Sequence, residues 1–333
     1  MRNIVLYITD IAIMVGCCLG VGFVSGKEAQ VFFGNTLHVV IFALLYAVCN
    51  IVLRLYCNKA GCNSVEALSK SLFKKGASVF EALICLCCFV CIVTMLAGAE
   101  ACLDRILHLS NLPLYALVCA VISAIALAQG DKALKIANVV SITLAIIFVI
   151  VMLFGNKQNT SARNSVSPMK PVIYALFSAA VSFGVTTRLG FESDVKRNVV
   201  CPVAAAVILA VLMIAVIKIS DFNLQLPTID SIKDVPTQIL AIVTLILAAV
   251  TGIVACAYPI VDQIYPVIPD NPLCCCVVFG LALAFSMFGF DFAVKIGYAL
   301  VGIVGLITLV IAAVQLLSKS NRVLYKSRSS LGK

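Results

Sequence analysis

The chain has no G-x-x-x-x-G-K-[ST] loop to cradle a phosphate, which argues against an ATP-driven pump. It has no evident Ser-His-Asp constellation, no H-E-x-x-H pair and no paired carboxylates spaced for acid–base work, so nothing points to an enzyme. Histidine is almost missing: His38 and His108 are the two in 333 residues, and both fall near span ends, where they read as interfacial. Charge is scarce too. Only 12% of residues are charged while 62% are hydrophobic, and the mean hydropathy is +1.13. Apolar runs of about 20 residues recur along the chain, which is the signature of a polytopic helical membrane protein. No A-x-A-like site closes the first run, so we expect a retained span rather than a cleaved signal.

Cysteine is abundant, with 16 residues. Most lie inside apolar spans, including Cys17-Cys18, Cys87-Cys88 and Cys274-Cys275-Cys276, where a thiol packs as a small hydrophobe. Cys85, Cys87, Cys88 and Cys91 share a helix, but they have neither a nearby histidine nor a second cysteine pair at zinc spacing. We therefore expect no metal and no cofactor beyond a coupling ion.

The first apolar segment, Ile4 to Phe33, is thirty residues and would run about 45 Å as one helix, against a hydrocarbon core of about 30 Å. Gly16, Gly20, Gly22 and Gly26 fall within it, and Lys27 and Glu28 follow at once. Each glycine weakens a helix by about 1 kcal/mol relative to alanine. A helix broken in mid-membrane must turn its freed backbone toward protein or a water-filled cavity, and such breaks form solute and ion sites in secondary transporters. The glycine spacing also suits close helix packing, so that alternative stays open.

Ten spans are expected. After the broken first come residues 38–57, 78–103, 113–129 and 133–154, then a broken sixth at 172–191 interrupted by Ser182, Gly184, Thr186, Thr187, Arg188 and Gly190. Residues 199–219, 237–260, 273–290 and 292–317 complete the set, and a basic, serine-rich tail at 318–333 is expected to be disordered and solvated. Between spans 2 and 3, Asn63 with Glu66 is expected to cap a short amphipathic helix lying on the membrane surface. The polar connection 156–171 divides the chain into halves 1–155 and 172–317 of one transmembrane domain. Five spans per half, each half opening on a broken helix, imply an inverted repeat.

A net charge of +9 sets topology here rather than drawing nucleic acid. With the N-terminus inside, cytoplasmic segments hold sixteen of the twenty-four Lys and Arg residues. Both termini are therefore expected in the cytoplasm of a multi-pass plasma-membrane protein. The outer side holds seven, three of them (Lys157, Arg163 and Lys170) in the loop between spans 5 and 6, and Lys27 lies within span 1.

Three stretches carry a family likeness. Gly20-Val21-Gly22-Phe23-Val24-Ser25-Gly26-Lys27-Glu28, followed by Phe32-Phe33, resembles the G-A-G-F-A-S-G-x-E-x-x-x-F-F signature of the YkvI-like bacterial membrane proteins. Met95-Leu96-Ala97-Gly98-Ala99 resembles their M-L-A-G-A, and Gly289-Phe290 through Tyr298 their end pattern. Those proteins are permeases of the amino acid–polyamine–organocation superfamily, so the resemblance implies the LeuT-type fold and a small organic solute. It departs at Val21, Val24 and Lys27, and at Phe177-Ser178, where an aromatic followed by asparagine is expected.

Within this frame the expected solute site is Gly16, Gly20, Val21, Gly22, Phe23, Ser25 and Gly26 on span 1 with Phe177, Ser178, Ser182, Phe183 and Gly184 on span 6. Half-helix N-termini there suit an anionic group. Ser25 serves such an anion or bonds its own helix. Thr251, with carbonyls near Gly16 and Val21, is the candidate sodium ligand; sodium coupling, proton coupling and no coupling all remain open. Lys27, Glu28 and Glu100 are the gating or coupling candidates, with Lys27–Glu100 or Glu28–Lys295 as the expected pairs. The function expected is a secondary transporter working by alternating access. A membrane sensor or scaffold that keeps the fold without transport is the second reading. The oligomeric state is not legible.

Overall fold

A computed structural model of the protein describes residues 2–107, 113–129, 131–155, 166–264 and 271–330. Among these no strand occurs, and helices account for most of them. Span 1 is α1 (Arg2–Cys18), α2 (Val21–Val24) and α3 (Lys27–Phe32); span 2 is α4 (Thr36–Ala60). A short α5 (Val65–Phe73) precedes α6 (Ala77–Leu107), α7 (Leu114–Gln129) and α8 (Asp131–Gly155), which are spans 3 to 5. Span 6 is α9 (Met169–Val181) plus α10 (Phe183–Glu192), then α11 (Val195–Ile219), α12 (Val235–Ile264) and α13 (Asn271–Ser286). Span 10 is α14 (Phe290–Phe292), a π-turn over Ala293–Gly297 and α15 (Tyr298–Ser330).

Five of the described stretches are long and apolar enough to cross a bilayer, and the α9–α10 pair, bent by 63°, makes a sixth. Four shorter apolar helices, Ile4–Cys18, Leu114–Ala128, Val139–Phe154 and Cys275–Ser286, occupy the other expected spans. Leu44, Val48, Leu86, Val207, Leu281, Ile303 and Val310 are exposed, as side chains facing hydrocarbon must be. The interior holds what lipid would reject, including a fully buried Arg54.

Three expectations change. Ser64, not Asn63, caps α5, accepting the Ala67 N–H at 3.2 Å, while Glu66 pairs with Lys70 instead of reaching back. The apolar face of α5 packs on protein rather than lipid: Leu68 and Leu72 are buried, and Tyr56 bonds Ser71 at 2.6 Å. At the other end α15 continues to Ser330, past the expected limit at Leu317, because adding residues to an existing helix costs far less than nucleating one. His108 and most of the polar divider (156–165) lie outside the described residues.

Spans 2, 6 and 7 pack on one another through α4, which touches α9, α10 and α11, and span 1 joins them mainly where α1 lies against α11. Spans 3, 4, 5, 8 and 9 gather around α6 and α12, and α15 lies against α9 and α4. The end of the molecule that carries the start of α1 is called the near face below, and the end at the α3–α4 turn the far face.

Candidate functional site

The first helix breaks twice. α1 stops at Cys18 because Gly20 adopts extended backbone (φ −87°, ψ 179°), and its N–H closes on the Cys18 carbonyl at 3.0 Å. One turn of helix follows, and Gly26 then takes φ +76°, a left-handed conformation that other residues adopt only under strain. The break thus covers Leu19 to Gly26. Gly16 lies just before it, in the last turn of α1, where the Gly20 N–H that would close on its carbonyl turns to Cys18 instead.

The backbone loosened at the second break is taken up by protein. The Ser25 carbonyl accepts the Thr228 N–H at 3.0 Å from the loop between α11 and α12. That loop lies so close that a side chain on Gly26 would strike Thr228 and Ser220. The Ser25 hydroxyl donates to the Gly22 carbonyl at 3.2 Å, within its own helical turn. Val21 and Phe23 are buried, and Val21 packs on Gly98 while Met95 covers Gly20. A ring of Phe290 fills the other side of Gly98, so all three family-like stretches meet here.

Span 6 bends at Ser182, where the helix turns by 63° yet keeps the Ser182-to-Ser178 and Thr186-to-Ser182 backbone bonds at 3.3 and 2.7 Å. Polar side chains from α4 stabilise the bend. The Asn50 amide oxygen accepts from the Ser182 hydroxyl at 3.4 Å and from Thr186 at 3.1 Å. Ser178 bonds the Tyr174 carbonyl, and the Cys18 thiol at the end of α1 lies against it, so the two breaks meet at Cys18–Ser178. Phe183 is buried. Gly184 does not face span 1: a Cβ there would stand 2.9 Å from Pro259, so this glycine serves the approach of α10 to α12.

Above the breaks, toward the far face, the charged candidates find partners other than those expected. Lys27 pairs with Asp291 of α14 at 2.9 Å and also donates to the Gln225 carbonyl at 3.1 Å, not to Glu100. Glu100 instead accepts the Ala116 N–H at 2.8 Å in the first turn of α7, where orphan amides want an acceptor. Glu28 does not reach Lys295. Its carboxylate folds back over Gly22, accepts the Tyr298 hydroxyl at 2.6 Å and takes a second hydroxyl from Tyr174. Around it stand Phe32, Tyr174, Phe177 and Tyr298, with the Phe177 and Tyr298 rings stacked 3.6 Å apart. Thr251 is buried on α12 and gives its hydroxyl proton to the Leu247 carbonyl at 2.9 Å, which leaves its lone pairs for an ion.

The arrangement superposes on a solved protein. The crystal structure of MhsT in complex with L-phenylalanine matches with a TM-score of 0.65, over 90% of this chain and 87% of that one, at 15% identity. The fold is of the LeuT type. No protein-family model and no curated protein matches the chain, so the YkvI-like resemblance rests on its motifs. In this LeuT-type frame the paired breaks of spans 1 and 6 stand first in each half of the chain.

A second polar centre, toward the near face, escaped the sequence reading. Arg54 donates to Asp10 at 2.8 Å, to Asn198 at 2.9 Å and to Ser193 at 3.0 Å, and Arg197 grips Asp10 at 2.9 and 3.0 Å. These residues come from α1, α4 and α11 and the α10–α11 turn, so the centre binds spans 1, 2, 6 and 7 into one unit. Asp10 and Arg54 are ionisable residues inside apolar segments, a signal that was present in the sequence. Tyr298 and Asp291 lay within the end pattern, but nothing local tied them to Glu28 and Lys27.

Proposed function

We propose that the protein is a secondary transporter of amino acids or related small organic solutes, working by alternating access in the plasma membrane. The observation that carries this is the meeting of two broken spans beneath a closed far face. Contacts that cross from span 1 or span 6 to span 10, namely Lys27–Asp291, Glu28–Tyr298 and Phe177–Tyr298, must part for that face to open. The Asp10–Arg54–Arg197 centre holds spans 1, 2, 6 and 7 together, as a bundle that rocks against the remaining helices requires.

In this reading the solute binds between Gly20–Gly26 and Phe177–Phe183, and Lys27–Asp291 latches the outer side. The Lys and Arg distribution makes the near face cytoplasmic. The YkvI-like motifs support membership of that permease family, and Thr251 is the sodium ligand if sodium is the coupling ion.

Thermal unfolding of the purified protein against a panel of amino acids, amines and nucleobases, in sodium and in potassium, tests the site. A solute at about a hundredfold over its Kd should add about 2.7 kcal/mol. Gly22→Leu, whose side chain would occupy the space where Glu28 folds back, should lose that shift while still inserting in the membrane. A shift that survives Gly22→Leu would remove the first break from the solute site.

A further inference from the structure

Closing the far face requires no carboxyl at position 28, yet one is buried there. Glu28 is 2% exposed and, among the described residues, makes no ion pair. Its two oxygens are held by the hydroxyls of Tyr174 on span 6 and Tyr298 on span 10. The groups around it supply no cation. The Cys18 thiol faces it from α1 and the Cys91 thiol from α6, with Tyr174 from α9 and Tyr298 from α15. Lys27 turns away to Asp291, and Asp291 and Lys295 are exposed. On α4, His38 is buried and occupied with the Gly34 N–H at 3.0 Å.

A carboxylate taken out of water without a cation costs more than two hydroxyl donors return. The ligand that would neutralise it must be small. Phe177 and Tyr298 are stacked at 3.6 Å, and Phe32 and Tyr174 close the remaining sides, so a substituted ammonium has no place between the rings. A proton needs no cavity.

We propose that Glu28 is a proton-binding site, and that a proton taken there from the outer face favours closure of the far side. The carboxylate gains one O–H bond to a proton from bulk water. Of the two tyrosine hydroxyls that donate to it, one then turns to accept the new O–H, since a hydroxyl serves either role. Because the Tyr298 contact crosses to span 10, opening the far side returns the carboxyl to water and releases the proton to the outer solution. This rests on the transporter reading in one respect, that the far side opens.

The chain contains no tryptophan, so Phe222→Trp on the α11–α12 loop supplies a single fluorescent reporter of the far face. Its quenching by acrylamide is followed in nanodiscs, without solute, from about pH 8 down to about pH 5.5, a range outside the ordinary carboxylate values. The expected result is quenching that falls by about twofold or more on acidification, and a Glu28→Gln protein that shows the low value throughout, with Glu28→Asp restoring a response. If Glu28→Gln does not fold, as thermal unfolding would reveal, Tyr298→Phe replaces it and should move the midpoint of the response. A response that survives both substitutions unchanged, or a wild-type protein with none, overturns the proposal. Neither outcome touches the transporter reading, which solute binding judges separately.

Discussion

Replacing Arg54 by methionine tests whether spans 1, 2, 6 and 7 are held as a unit by the near-face centre. Methionine keeps the apolar stem and removes the guanidinium, so the bonds to Asp10, Asn198 and Ser193 go together. Breaking a buried ion pair by removing one partner costs about 3–5 kcal/mol, because the other charge is left in a medium that solvates it poorly. Asp10 keeps Arg197 at 2.9 Å, which places the expected loss near the lower end, about 3 kcal/mol. At about 2.1 cal/mol/K per residue, 333 residues give an unfolding entropy of about 0.7 kcal/mol/K, so the midpoint should fall by about 4 °C. The assay is thermal unfolding in detergent with a thiol-reactive dye, since Cys17, Cys18, Cys57, Cys88 and Cys102 are buried and report only when the fold opens. Arg54→Lys should recover little, because one ammonium cannot replace a planar fork that serves three partners. A midpoint within about 1 °C of wild type for Arg54→Met would refute the reasoning.

Two further substitutions probe the frame. Gly190→Ala places a Cβ 2.8 Å from the Arg54 Cα, and backbone cannot yield as a side chain can, so we expect a loss of about 1–3 kcal/mol in the same assay. Asp234 caps α12, accepting the Thr237 hydroxyl at 2.5 Å and its N–H at 3.0 Å, and these bonds hold its carboxyl below the ordinary aspartate value. A depressed folded-state value contributes stability above the ordinary value and loses it as pH falls through the depressed one. Asp234→Ala should therefore lower the midpoint at neutral pH, with the difference from wild type shrinking in acid; a constant difference would discount the ionised cap.

Much of this was legible from the residues. Glycine density in the first segment located a real break, which opens after Cys18, with Gly16 in the last turn of α1 just ahead of it. Ser182 marked the bend of span 6, while Gly184, beside it, proved to be a packing contact. Local sequence separates those two roles badly, since both need a missing side chain. Partners of charged residues were the least legible. Lys27 meets Asp291 across 264 positions and Glu28 meets Tyr298 across 270, distances that only the assembled helices bridge. Arg54, near the end of span 2, is fully buried, and Asp10 in the first span is the clue to its partner.

The most direct test of the account is uptake of radiolabelled amino acids, L-phenylalanine included, by proteoliposomes holding the purified protein, with sodium or potassium outside. Saturable uptake of at least one compound above protein-free vesicles is expected, lost in Gly22→Leu. Vesicles that bind a compound without accumulating or exchanging it would contradict transport and favour the sensor or scaffold reading.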